Sequence, residues 1–306
     1  MKEQVFISIV VYAYNEEISI KKFLENILSF LENKFEHYEL LIVNDSSTDS
    51  TKSIVKEFLK DKEHNNITMI NLSKRHGLET AILVGVDYAI GDYVIEIDSP
   101  SMPYKIEYLN ELYIKSSEGF DIVSLKLNKN LKITSTIFYK ILNKFSKIKV
   151  DDKSEIGFIL SRRAINAISR VKDKIKYRKI IHNFSGFNKT SISVDIDPSK
   201  IKSLNSSERI EMASDILFSY SDIGFKISYY IAVTFMIISL ALGVYTVINY
   251  FFNQDLVTGW TTMMMFMSIG FSGIFFVFSN LSKILSLMNK EIRTLPNYVI
   301  DSIEKY

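Results

Sequence analysis

The sequence predicts an α/β fold, a mostly parallel sheet with helices on both faces, followed by a two-helix transmembrane hairpin. Two observations predict it. Apolar strands alternate with amphipathic helices as far as Leu125, the pattern of a sheet buried on both sides. In the C-terminal third, Ile227–Phe252 runs for 26 residues and Trp260–Leu281 for 22 without a charged side chain. A positive mean hydropathy beside 24% charged residues fits that division into a polar part and an apolar part.

The elements follow in order. Phe6–Val11 is a β-rich run, and Asn15 is placed to cap a helix with Glu16 and Glu17 in its first turn. Ile18, Phe23, Leu24, Ile27, Leu28 and Leu31 then recur at helical spacing. Tyr38–Val43 is a second strand. A helix over Ser47–Lys60 has Ser47 or Thr48 to cap it and Asp49 at its positive end. Ile67–Leu72 is a third strand, with a helix over Gly77–Ile90. Tyr93–Ile97 and Asp121–Leu125 are strands flanking a helix over Lys105–Ser116. Residues 132–149 form a basic amphipathic helix in which Lys140 and Lys144 interleave with Ile137, Ile141 and Phe145, a pattern suited to an anionic membrane surface or to solvent.

Each uncharged stretch is long enough to cross a hydrocarbon core of roughly 30 Å. The segment between them lacks Lys and Arg, whereas Lys226 precedes the pair and Lys283, Lys290 and Arg293 follow it. The excess of cations outside the pair predicts a multi-pass membrane protein with both termini in the cytoplasm. The expected divisions are a cytoplasmic α/β domain over 1–206, a juxtamembrane helix over 207–226, and the hairpin (spans about 227–252 and 260–281) with its cytoplasmic tail over 227–306.

Composition excludes several classes. A net charge of +2 is too small for a nucleic-acid binder driven by bulk charge. Zero cysteines exclude disulfides, thiolate-bound zinc and thiol nucleophiles. Met1–Gln4 leads directly into a strand, without the apolar stretch and cleavage site of a secretory leader.

The chemistry concentrates at strand ends. Asp98 ends an apolar strand and Asp45 ends another, where open α/β sheets place their ligands. A second acid two residues after Asp98 would make a pincer for a divalent metal, and that position is Pro100. Tyr14-Asn15-Glu16-Glu17 closes the first strand beside Asp45.

Taken together, Tyr14-Asn15-Glu16-Glu17, Asn44-Asp45-Ser46-Ser47-Thr48-Asp49, Arg75-His76-Gly77, Gly85 and Gly91-Asp92 through Asp98 resemble family 2 glycosyltransferases. The order and spacing look most like the branch that moves a sugar from a nucleotide to a polyprenyl phosphate, which includes dolichol-phosphate mannose synthase and bacterial undecaprenyl-phosphate glycosyltransferases. Gly186-Phe187, Gly259-Trp260, Glu291 and Pro296-Asn297-Tyr298-Val299-Ile300 extend the resemblance over nearly the whole chain. It implies a GT-A nucleotide-binding domain and inverting transfer, with a nucleotide-sugar, a polyprenyl phosphate lipid and the bacterial cytoplasmic membrane as partners. By position, Tyr14, Glu16 and Asp45 would hold the nucleoside, with Arg75 in the same crevice. Asp98 would face the diphosphate, directly or through Mg²⁺ or Mn²⁺, and Lys140 and Lys144 would steer the lipid phosphate. A homo-oligomer assembled through the hairpin is compatible with the resemblance.

The chain also departs from the family. Tyr12 replaces a proline, Asn44-Asp45-Ser46-Ser47 replaces Asp-Asp-Gly-Ser, and Pro100 replaces the second metal acid. Where the family has Gly-Asp-Phe, the aligned acid position holds Ile156, leaving Glu155 as the substitute and Asp151 and Asp152 as rivals. These losses set an active enzyme against a catalytically silent GT-A protein that binds a nucleotide or a partner.

Overall fold

The computed structural model describes residues 2–60, 66–127, 133–145, 155–169, 177–184, 186–197, 259–292 and 298–306, with scattered positions between 210 and 241. Its centre is an eight-stranded sheet. The strands are β1 (Glu3–Ala13), β2 (Phe35–Asn44), β3 (Ile67–Leu72), β4 (Tyr93–Ile97), β5 (Ile122–Leu127), β6 (Glu155–Ser161), β7 (Lys189–Val194) and β8 (Ile300–Lys305). The helices are α1 (Ile20–Lys34), α2 (Thr51–Lys60), α3 (Leu78–Tyr88), α4 (Glu107–Ser117), α5 (Ile133–Phe145), α6 (Arg162–Ile168), α7 (Arg178–Phe184) and α8 (Trp260–Ile292).

Spatial order is β7-β5-β6-β4-β1-β2-β3-β8. β1 pairs in parallel with β2 and β4, β2 with β3, and β5 with β7; β6 and β8 run antiparallel to their neighbours. The chain therefore builds outward from β1 through β2 to β3, then returns to place β4 on the other side of β1. That reversal is a topological switch point, and it opens a crevice beyond the carboxyl ends of β1 and β4. The register places Val11 opposite Ile97 and Ala13 opposite Asn44, so the segments carrying Tyr14, Asp45 and Asp98 leave the sheet at one rim.

Both faces are covered, as the unbroken apolar strands predict. One core joins Ile7, Ile9 and Val11 to Phe23, Ile27 and Leu31 of α1, Val55 and Leu59 of α2, and Leu109 and Leu112 of α4. The other joins Val10, Leu41 and Val43 to Ala81, Ile82 and Val84 of α3 and to Ala164 and Ile165 of α6. α3 lies very close to the sheet, because a Cβ on Gly85 would overlap the Val10 side chain.

Two helix starts differ from expectation. Asn15 does not cap α1; it sits in the left-handed region at φ 51°, and its Oδ1 accepts the Thr48 N–H at 2.9 Å. Asparagine tolerates that conformation, so the helix is delayed to Ile20, and Glu16 and Glu17 precede it. Asp49, not Ser47 or Thr48, caps α2, its Oδ1 accepting the Thr51 N–H at 3.0 Å. Ser47 instead accepts the Asn15 N–H at 3.1 Å, which ties the two loops together.

Strand β8 went unread in the sequence. It pairs with β3 from Thr68↔Lys305 to Leu72↔Ile300 and closes an edge that would otherwise present unpaired backbone groups. Lys56 holds Glu304 at 2.9 Å, and Asn71 donates to Ser302 and Glu304.

The contacts divide the chain into two units. One comprises Met1–Lys140, Ile148–Asn205 and Leu295–Tyr306; the other comprises Ile141–Lys147 and Ser206–Thr294. Leu295–Tyr306, the last residues, group with the sheet unit. The expected span 227–252 lies mostly outside the described residues. The expected span 260–281 falls within α8, a helix of 33 residues. Among the described residues no helix is long and apolar enough to cross a membrane.

Candidate active site

On the β2 side of the crevice, Asp45 is fully buried. Its Oδ1 accepts the His76 N–H at 2.7 Å, and its Oδ2 accepts the Gly77 N–H at 2.8 Å and the Tyr12 hydroxyl at 3.2 Å. The carboxylate thus lies at the positive end of α3 and pins the Arg75–Gly77 loop to the strand. Gly77, at φ 86°, permits the turn that aims two successive amides at one carboxylate. Burial and Asp45 together push the Tyr12 phenol well above its usual range, with Arg75 acting in the opposite direction. The Arg75 guanidinium carbon lies 4.5 Å from the centre of the Tyr14 ring. Tyr14, Asp45 and Arg75, predicted to share a site, are therefore linked through one loop, and the Tyr14–Arg75 stack offers a flat cationic surface.

Glu16 joins this side to Asp98's loop. It is buried, its Oε1 accepts the Ser99 hydroxyl at 2.7 Å, and its Oε2 accepts the Ser19 hydroxyl. Its role in the structure is to hold the β1 and β4 loops together.

On the β4 side, Asp98 meets a residue that sequence reasoning missed. Arg178 is 3% exposed and donates from Nη2 to Asp98 Oδ1 at 2.8 Å and from Nη1 to Glu96 Oε2 at 2.7 Å. Its Nε and its main-chain N–H both reach Glu79 Oε2, at 3.1 and 2.9 Å. Three acids from α3 and the end of β4 converge on one guanidinium. Glu96 was discoverable, since residues two apart share a strand face. Arg178 was not, because it stands in the basic run from Lys172 to Lys179, where spacing distinguishes no single cation.

Burial is the largest influence on Glu96 and pushes it up to about 7, against the pull of Arg178. Tyr104 is also buried and its phenol is raised by burial and by Asp98; among the described residues its hydroxyl finds no hydrogen-bond partner.

Glu155, the expected substitute base, lies at the start of β6 with its side chain 2% exposed. It accepts from Lys189 at 2.9 Å and from the Ser124 hydroxyl at 2.9 Å. Asp151 and Asp152 lie outside the described residues. Lys140 and Lys144 are exposed on α5.

Residues 8–168, from β1 through α6, match the model of glycosyl transferase family 2. The chain belongs to that family. An uncharacterized glycosyltransferase of Synechocystis is 26% identical over 97% of this chain and 95% of its own length. A prophage bactoprenol glucosyl transferase homolog of Escherichia coli is 25% identical over 98% of this chain and 99% of its own. An undecaprenyl-phosphate 4-deoxy-4-formamido-L-arabinose transferase of Shewanella sediminis is 24% identical over 64% of this chain and 59% of its own. Among solved structures, a Pyrobaculum calidifontis mannosyltransferase in complex with GDP-mannose and Mn²⁺ gives a TM-score of 0.48 at 16% identity, covering 71% of this chain and 63% of that one.

This family 2 glycosyltransferase has a mostly parallel sheet with helices on both faces, and its crevice lies at the switch point. The matched region ends at Ile168, so Arg178 lies beyond it. The donor set at Asp98 does not fit a divalent metal. Its Oδ1 is committed to Arg178, and its strand neighbour Glu96 is buried against the same guanidinium. Among the described residues, no group of three acids or histidines could hold a metal ion.

Proposed function

We propose that this glycosyltransferase moves a sugar from a nucleotide-sugar to a polyprenyl phosphate at the cytoplasmic face of a bacterial membrane. The observation that carries the reading is the switch-point crevice, where Tyr14, Asp45 and Arg75 on one side face Asp98 on the other. End-to-end similarity to a bactoprenol glucosyl transferase homolog supports the lipid acceptor. In this reading Tyr14 and Arg75 receive the nucleoside, while Asp45 acts as a positioning residue that fixes their loop. An oxygen of the lipid phosphate attacks the anomeric carbon as the bond to the nucleoside diphosphate breaks, with inversion. A phosphate is already ionised near neutral pH, so it needs placement more than a strong base. That suits a site in which Glu155 is buried in an ion pair.

Membrane attachment is part of the proposal. Met263, Phe271, Phe275, Phe278 and Leu285 of α8 are all exposed large apolar side chains, a surface that a soluble protein rarely presents. The segment Ser206–Thr294 is joined at both its ends to the sheet unit, which supports an even number of crossings and both termini on one side.

A silent, nucleotide-binding reading draws on Pro100 and on the pairing of Asp98 to the buried Arg178 and of Glu155 to the half-buried Lys189. Purified full-length protein, undecaprenyl phosphate and a panel of labelled nucleotide-sugars decide between the two. The expected result is label in the lipid fraction, reduced about a hundredfold by Asp98→Ala, the scale of misplacing groups that Asp98 and Arg178 together position. Nucleotide binding without lipid labelling by any donor would overturn the enzyme reading.

A further inference from the structure

Glu79, Glu96 and Asp98 converge from α3 and the end of β4 on one space, which as it stands is no metal-binding group. The space between them is filled by a cation that the chain itself supplies. Arg178 reaches all three, at 3.1, 2.7 and 2.8 Å, and is 3% exposed. Its fork is satisfied on each arm, Nη1 by Glu96 and Nη2 by Asp98, while Nε and the backbone N–H share Glu79. A guanidinium held in this way and a metal ion compete for the same oxygens, and a planar fork matched to several carboxylates is hard to displace.

We propose that Arg178 is the resident cation of this crevice, standing where a divalent metal would bind among Glu79, Glu96 and Asp98, so that the chain takes up its nucleotide without divalent metal. The first half rests on the observed contacts alone, and the second rests on the nucleotide-sugar reading above. Arg178 is a positioning residue here: it fixes the rim acids and keeps metal out.

The test uses full-length protein with Mn²⁺ alone as the first probe, the free ion being counted by its paramagnetic resonance. Wild type is expected to bind no Mn²⁺ at this cluster, and Asp98→Asn is expected to leave its titration unchanged. Arg178→Gln, which vacates the space, is expected to gain one Mn²⁺ site at least about tenfold tighter than any in wild type. Adding Asp98→Asn to Arg178→Gln is expected to remove that site. Wild type that binds one Mn²⁺ in an Asp98-dependent way would overturn the proposal, even where Arg178→Gln fails to fold. So would a folded Arg178→Gln protein that gains no Mn²⁺ site.

The second probe is UDP or GDP binding to wild type, measured in EDTA and again in Mn²⁺. Affinities within about threefold of each other support the proposal, and a loss of more than about tenfold in EDTA overturns it. If neither nucleotide binds in either buffer, the metal-free uptake half falls together with the nucleotide-sugar reading. The Mn²⁺ titration then still decides the place of Arg178.

Discussion

Glu96 shows how a single residue can be held at an energetic cost by its neighbours. It is 2% exposed, and burial pushes it up to about 7 from an ordinary 4.5, with Arg178 only partly offsetting the effect. A carboxyl raised in this way binds more protons folded than unfolded. Stability is therefore lost as pH rises from about 4.5 to 7, and above that the penalty is complete, roughly 3 kcal/mol. Glu96→Gln has no such titration. Its unfolding free energy relative to wild type is expected to shift in its favour by a few kcal/mol between about pH 5 and 8. Denaturant unfolding at the two pH values measures this, and a gap that stays constant would mean that Glu96 is not raised. Asp98 was legible at this scale because a strand-end acid breaks an apolar run. Its partner was not, since only the tertiary fold brings Arg178 across some 80 residues to reach it.

At the scale of elements, the strands and helices as far as β5 were readable because each apolar run was followed by a helical repeat. β6, β7 and β8 were not read as strands; two of them pair antiparallel, outside the strand–helix alternation that made the others readable, and β8 alternates half-buried and exposed residues in a weak pattern. The Asn15 turn was misplaced for a different reason. A good capping residue and a good left-handed residue are the same amino acid, and only the loop's bonds to Ser47 and Thr48 separate the two uses. The junction of β1 and β4 offers a test of how tightly these elements are set. A Cβ on Gly91 would come within 2.7 Å of the Ser8 backbone nitrogen and 2.9 Å of the Phe6 carbonyl oxygen. Backbone cannot move aside as a flexible side chain can, so Gly91→Ala is expected to cost about 1–3 kcal/mol. Thermal unfolding reads this directly; a variant as stable as wild type would mean that the β1–β4 junction has slack.

The whole molecule is organised by where its chain returns. After the second unit, the last residues add β8 to the edge of β3, with Tyr306 N–H donating to Ile67 at 2.9 Å. A strand paired in the sheet must lie on the same side of any membrane as the sheet, so a segment that leaves after Asn205 and returns by Leu295 crosses an even number of times or not at all. In the proposed topology both termini lie on the cytoplasmic side, as Lys226 before the apolar stretches and Lys283, Lys290 and Arg293 after them lead one to expect. The chain has no cysteine, so single introduced thiols can report side without background. On intact cells, a membrane-impermeant maleimide is expected to label Asp255→Cys, in the segment between the two stretches, and to leave Lys2→Cys and Ser302→Cys unlabelled until the cells are permeabilised. Ser302 carries the sharper half of the test, because its pairing opposite Asn71 ties its side to that of the catalytic crevice. Labelling of Ser302→Cys without labelling of Lys2→Cys would separate the two termini and dismantle the topology. Failure to label Asp255→Cys on intact cells, with labelling after permeabilisation, would mean that the apolar stretches lie against the inner face and do not cross.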